Sequence, residues 1–285
     1  MFAIIGIFIV AGSVIFGFLL EKGNLHVLFQ PAEFIIIIGA ATGSFFIASP
    51  PKVISAVIKN VASIANSKST TKAKYLELFS LLYQLFSKIR KEGLISIESD
   101  IENPADSPVF SKYKSILSHK HIINFICDNL KVIITTNVVP HELDNLMEIE
   151  TETYQHESMM PARSVAKVAD ALPGLGIVAA VLGVVLTMGK IDQPPSVIGH
   201  SIGAALVGTF LGVLLCYGFV GPIATNLEHK TKEEVVFFKI VKVALVAFVA
   251  GSPPQMAVEF GRRVIPGKER PTFEELENEI RGKTK

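Results

Sequence analysis

ALPGLGIVAAVLGVVLTMGKIDQPPSVIGHSIGAALVGTFLGVLLCYGFVGP, residues 171–222, decides the fold. No Asp, Glu, Lys or Arg occurs from Ala171 to Gly189 or from Gln193 to Asn226. At about 1.5 Å of rise per residue, each run is long enough to cross a bilayer core as a helix. Lys190 and Asp192 mark the turn between them. Small or hydroxylated residues recur at helical spacing. Gly176, Ala180, Gly183 and Thr187 share a face of the first helix; Ala205, Thr209, Gly212 and Cys216 share a face of the second. Such residues let backbones approach closely in lipid, and Gly208 with Gly212 adds a GxxxG pattern. Packing alone is the plain account of these stripes. Thr209 has a second account, because its hydroxyl can bond its own preceding turn or a partner or hydrated ion. Pro173 is cheap in a first turn, whereas Pro222 follows a long apolar run, where a missing N–H and a ring clash end or kink a helix. A chain that enters at Pro173 and returns by Pro222 sets both prolines at one membrane face, a place for a hinge.

Outside this pair the composition stays apolar. Of 285 residues 49% are hydrophobic and none is tryptophan, and the mean hydropathy is +0.46, too high for an ordinary soluble domain. Residues 3–20 form an uncharged run about 27 Å long as a helix. No Lys or Arg precedes that run and no small-x-small cleavage site follows it, which favours a retained helix over a signal peptide. A second apolar run, Phe34 to Ser49, extends back through Pro31 to Glu33; Gly39 and Gly43 offer it a close-packing face, and Pro50 and Pro51 end it. Apart from Lys22 and Lys190, the basic residues, 25 of the 27, fall in residues 51–169 and 226–285. Near the helix ends the same bias holds, with Lys52, Lys59, Arg163, Lys167, Lys230 and Lys232 on one side, so that side is cytoplasmic. The expected fold is an all-α integral membrane protein with four transmembrane helices and a large helical cytoplasmic domain built from the central loop and C-terminal tail. Spans are expected at residues 1–20, 32–50, 170–189 and 200–225, with outer loops at 21–31 and 190–199, a cytoplasmic loop at 51–169 and a tail at 226–285. Both termini are then cytoplasmic.

In the loop, Tyr75, Leu78, Phe79, Leu82, Leu85, Phe86 and Ile89 repeat at three and four residues, an amphipathic helix that Gly93 can stop. Arg90 lies just before that stop, and Glu98 opens an acidic patch with Asp100, Glu102 and Asp106. Glu150 belongs to a further acidic run with Glu142, Asp144, Glu148, Glu152 and Glu157. Such charges are by default a solvated surface of little energetic weight. The tail run from Asn226 to Gly251 is interrupted by Lys239 and Lys242, leaving too few uncharged residues for a fifth span, and reads as an amphipathic helix continuing the fourth. Thr272 and Glu275 make a capping-box pattern.

Enzyme chemistry does not assemble. Cys127 and Cys216 form no CxxC site, the seven histidines lack metal-ligand spacing, and no GxxxxGK run is present, so no enzyme activity and no cofactor are expected. Nucleic acid is also an unsuitable partner, because Glu274, Glu275, Glu277 and Glu279 offset the basic tail. No carboxylate falls in the middle of a span. A chain that couples ion flow to work must then draw that group from a second protein.

The run ALVGTFLGVL at residues 205–214, followed by Pro222, resembles the signature of the MotA family, the larger membrane subunit of the bacterial flagellar stator. LPGLGIVAAVLGVV, QPAEFIIIIGAATGSF, SIESDIENP, AVEFGRR and ERPTFEELE are similar to further motifs of that family, so the resemblance covers nearly the whole chain. It implies a multi-pass protein of the bacterial inner membrane that surrounds the helices of a MotB-like subunit as a homo-pentamer, itself bathed in lipid. The partner supplies an intramembrane Asp and grips peptidoglycan. By this resemblance Thr209, Ala180, Gly176, Gly183, Thr187, Ala205, Gly212 and Tyr217 line the ion path or face the partner. Pro173 and Pro222 couple conformational change, and Arg90, Glu98 and Glu150 meet a FliG-like rotor switch protein. Sodium-type relatives carry threonine where this chain has Ala180, which points to H+ as the transported ion. An accessory motor of the ExbB/TolQ type, energising outer-membrane processes, is the alternative; its subunits usually have three spans. A free-standing transporter would show a binding site or inverted repeats in its own spans, and neither is seen.

Overall fold

The computed structural model describes residues 2–64 and 72–282, and among them it is helical with no strand. In chain order the helices are α1 (Phe2–Leu20), α2 (Leu25–Leu28), α3 (Pro31–Ala48), α4 (Pro51–Ile64), α5 (Lys72–Glu92), α6 (Glu98–Glu102), α7 (Lys114–Leu117), α8 (Lys120–Thr135), α9 (Pro140–Met188), α10 (Pro195–Leu214), α11 (Gly221–Val249), α12 (Pro254–Val264) and α13 (Phe273–Gly282). Among the described residues four helical runs are long and apolar enough to cross a membrane: Phe2–Leu20, Leu25–Ala48, Pro140–Met188 and Pro195–Val249. The chain divides into two compact units, Met1–Lys68 with Ser158–Lys230, and Ser69–Glu157 with Thr231–Lys285.

Within the first unit, α3 packs on α9 and α10 through Ile37 and Ala41, which join Ala169, Leu172, Ala179, Leu211 and Cys216 in one apolar cluster. The glycine face expected on α3 is not the one used. A Cβ at Gly39 or Gly43 would meet nothing within 4 Å, and the buried positions are Glu33, Ile37 and Ala41, four residues apart on another face. α1 buries no residue and displays Phe2, Phe8, Ile9 and Phe16 outward, as a helix bathed in hydrocarbon would.

Two helix boundaries differ from expectation. Pro173 does not begin a helix: α9 starts at Pro140, where the missing N–H costs nothing, and runs through both Pro161 and Pro173. Each internal proline loses one backbone bond, a defect that the rest of a 49-residue helix tolerates. α10 likewise starts at Pro195, ahead of residue 200, because Pro194 and Pro195 place the helix start in the turn itself.

The second unit is a water-type core. The apolar stripe of α5 is buried as its spacing requires, from Tyr75 to Ile89. It meets α8, α12, α13 and the end of α11, whose Phe237, Phe238, Ile240, Val241, Ala244 and Leu245 are buried in the same cluster. Phe86 stacks on Phe248 at 4.4 Å and Tyr154 on Phe238 at 4.1 Å. This explains why the end of α11 is apolar without spanning a membrane. Gly93 stops α5 with φ 88°, its N–H donating to Ile89 O at 2.8 Å, a conformation that suits glycine. At α13 the Glu275 N–H donates to Thr272 Oγ1 at 3.1 Å and the Thr272 N–H donates to Glu275 Oε2 at 2.6 Å, which completes the capping box.

Candidate functional site

The small residues of the central stretch form a seam between α9 and α10. A Cβ on Gly212 would lie 2.5 Å from Leu172 O and 2.9 Å from Gly176 Cα; one on Gly176 would lie 2.7 Å from Gly208 O; one on Gly183 would lie 2.6 Å from Ala205 Cβ. Gly176, Gly183, Ala205 and Gly212 are therefore brought together, and contact within this chain accounts for their size. Thr187 is buried and its hydroxyl donates to Gly183 O at 2.8 Å, so its hydrogen bond closes on its own helix. Ala180 and Thr209 differ from these. Both are half-buried beside the seam, with Thr209 Cα 3.3 Å from the Cβ position of Gly176 and Ala180 N 3.2 Å from that of Gly208. Tyr217 is 73% exposed.

Pro222 sits just after a π-helical turn, Leu215–Val220. Widening the helix by one residue lets the Gly221 N–H reach Cys216 O, where an ordinary turn would drive the proline ring into a carbonyl. A Cβ on Gly221 would be 2.8 Å from that oxygen, so the turn needs glycine there. Next to it opens a cleft of about 690 Å³, lined among others by Asp170, Tyr217, Pro222, Thr225 and His229. Pro173 is half-buried in α9, one turn beyond Asp170. Asp170 and His229 drew no notice in the sequence because each lies at the charged edge of a span, where an anchor is the ordinary reading.

Glu33 was not among the expected site residues. It occupies the first turn of α3 yet is 8% exposed, and its Oε2 has no hydrogen-bond partner among the described residues. The carboxyl lies on the seam: Oε2 is 2.6 Å from the Cβ position of Gly208 and Oε1 is 3.6 Å from that of Gly183. The first turn of α3 therefore buries an acid against α9 and α10, while no Asp or Glu falls in the middle of a span.

In the second unit Arg90 and Glu98 are both exposed, on either side of the Gly93 turn and the 3-10 segment Leu94–Ile97. Asp100, their expected companion on an acidic surface, is instead 2% exposed; it accepts from Lys88 Nζ at 2.8 Å and Ser107 Oγ at 2.6 Å. That burial anchors α6 and leaves Glu98 to solvent. Glu150 is exposed as a residue, but its carboxyl accepts from Asn129 Nδ2 at 3.1 Å. Partial burial of that carboxyl raises its pKa, with the Asn129 bond pulling the other way. Asp144 and Glu148 are tied to Lys242 at 3.0 and 2.6 Å. Burial works against the Lys242 charge, yet the two carboxylates hold its pKa above the ordinary lysine value.

Residues 4–93 match the family described as Motility protein A N-terminal, and residues 117–239 match the MotA/TolQ/ExbB proton channel family. The chain is 43% identical to Motility protein A of Escherichia coli K12 over 99% of its own length and 95% of that protein's. It belongs to the motility protein A family. Chemotaxis protein LafT of Vibrio parahaemolyticus is 37% identical over 96% of each chain. Two solved structures share the fold of this chain. The Campylobacter jejuni MotAB structure matches with a TM-score of 0.78 at 19% identity, covering 95% of this chain and 98% of that one. The flagellar MotAB stator complex of Bacillus subtilis matches with a TM-score of 0.73 at 24% identity, covering 94% and 97%.

Proposed function

We propose that this MotA-family chain is the ring-forming subunit of a flagellar stator that conducts protons and turns their flow into torque. Five copies surround the membrane helices of a MotB-like subunit, both termini lie in the cytoplasm, and the exposed charges Arg90 and Glu98, with Glu150, engage a FliG-like rotor protein. No cofactor takes part beyond the transported ion. The observation that carries the reading is the identity with a motility protein along nearly the whole chain. Geometry supports it in detail. α9 and α10 close on each other through glycine, leaving half-buried Ala180 and Thr209 at the edge of that contact to face a partner's Asp.

Protonation of that Asp removes a charge from a low-dielectric site and so changes which contacts of the ring it favours. The ring steps, and the prolines Pro173 and Pro222, with the widened turn before Pro222, supply places where the helices bend. The membrane potential contributes about 2.3 kcal/mol per elementary charge per 100 mV, so a revolution consumes many ions. The methyl of Ala180 offers no oxygen to replace the lost water of sodium, which favours H+.

The second reading, an accessory motor of the ExbB/TolQ type, has the shared channel-family match in its favour. The N-terminal match to motility proteins over residues 4–93 weighs against it. To decide, the chain is co-expressed with a MotB-like partner in cells lacking stators, and tethered-cell rotation is recorded under separate proton and sodium gradients. Torque following the proton gradient, and lost when the partner's Asp becomes Asn, supports the proposal. Torque following sodium refutes the ion assignment, and a well-inserted complex without torque favours the accessory motor.

A further inference from the structure

We propose that Glu33 is a second proton-carrying group of the conduction path, seated on the α9–α10 seam and working in relay with the partner's carboxyl; this rests on the stator reading above. The carboxyl is buried on the glycines Gly208 and Gly183, and its Oε2 is left without a hydrogen bond from any of the described residues. A carboxyl in such a place is costly unless something outside this chain completes it. Local alternatives are spent or lacking. The buried Thr187 hydroxyl, one turn from Gly183, donates to Gly183 O. α9 from Ala171 to Met188 and the whole of α10 carry no Asp, Glu, Lys or Arg; His200 is the titratable side chain of α10, and His26, Lys190 and Asp192 are the others in the flanking helix α2 and the α9–α10 turn. An alanine at 208 would set its Cβ 2.6 Å from Oε2, so glycine there leaves room for the carboxyl as well as for the helix. Gly208, against which the carboxyl lies, immediately precedes Thr209, the residue expected to face the partner. In the relay the Glu33 carboxylate takes a proton from hydronium on the side of the α9–α10 turn, releasing water, and becomes a neutral acid. It then gives that proton to the partner's carboxylate and returns to the anion.

The test uses the complex with its MotB-like partner in lipid vesicles, with proton flux read by an entrapped pH dye under an imposed gradient. Glu33→Gln keeps the shape and removes the proton-carrying group. We expect it to retain the partner and to cut flux by at least about tenfold, with Glu33→Asp keeping a larger share. A Glu33→Gln complex that assembles and conducts like the parent overturns the proposal while leaving the stator reading intact. A parent complex that conducts no protons overturns both. If Glu33→Gln does not assemble, the parent complex decides. Dicyclohexylcarbodiimide adds to a protonated carboxyl in lipid, taking up its proton on nitrogen to leave an N-acylurea, and the modified peptide is found by mass spectrometry. Label on Glu33 that rises as the pH falls supports the relay; its absence overturns it.

Discussion

At the scale of single residues, glycine does more in this chain than any charged group. Gly212 faces backbone on both sides, with Leu172 O at 2.5 Å and Gly176 Cα at 2.9 Å from where a methyl would sit. Neither atom can swing away as a side chain would. Gly212→Ala should therefore push α9 and α10 apart at a cost of about 1–3 kcal/mol. Gly203→Ala, whose methyl meets nothing within 4 Å, should stay within about 0.5 kcal/mol of the parent. Thermal unfolding of the purified chain in detergent compares the two; equal midpoints would remove the seam from the account. Asp100 is the matching case in the second unit. With Asp100→Ala, Lys88 and Ser107 lose their shared acceptor, and we expect a loss of about 3 kcal/mol, at the low end for a buried pair because Lys88 keeps 27% of its side chain in water. Amide exchange in residues 94–110 should rise with it, and an unchanged exchange rate would show that the pair does not hold α6.

At the scale of elements, the sequence announced those features whose cause is local. The Gly93 stop, the apolar face of α5 and the Thr272–Glu275 cap each depend on a few neighbouring residues, and each is formed as its pattern requires. Glu33 and Asp100 were opaque for the opposite reason. A carboxyl at a span end or beside Glu98 reads as solvated, and its burial depends on partners distant in sequence, Gly183 and Gly208 in one case and Ser107 and Lys88 in the other. The run of α9 through two prolines was hidden similarly, since local chemistry marks Pro173 as a start while the helix on either side outweighs one lost bond. The cap also carries a pH dependence. The Thr272 N–H, donating to the Glu275 carboxylate, holds its pKa below the ordinary 4.5. Folding thus favours the ionised form, and its contribution to α13 is complete above the ordinary value and lost as pH falls through the lowered one. Amide protection of α13 should decline in acid in the parent. Glu275→Gln should flatten that decline, and a decline of equal depth in both would assign it elsewhere.

At the scale of the whole molecule, the proposed function assigns the two units different solvents and different tasks. In the first, apolar helices meet through glycine and leave a few polar groups, Thr209 and Glu33 foremost; in the second, an aromatic core supports an exposed charged edge. If ion flow belongs to one and force transmission to the other, the two should be separable by substitution. Arg90→Glu with Glu98→Lys reverses both exposed charges and touches no buried contact, so its cost to stability should be about 1 kcal/mol or less. Proton flux through vesicles holding the complex should then stay within about twofold of the parent, because neither side chain lies in the membrane unit. Tethered-cell torque should fall steeply, since like charges would now face each other wherever opposite ones met the rotor. Restoring torque by reversing the facing charges on the rotor would place the contact at these two residues. Loss of flux together with torque would instead mean that the charged edge governs conduction, and the division of labour between the units would have to be given up.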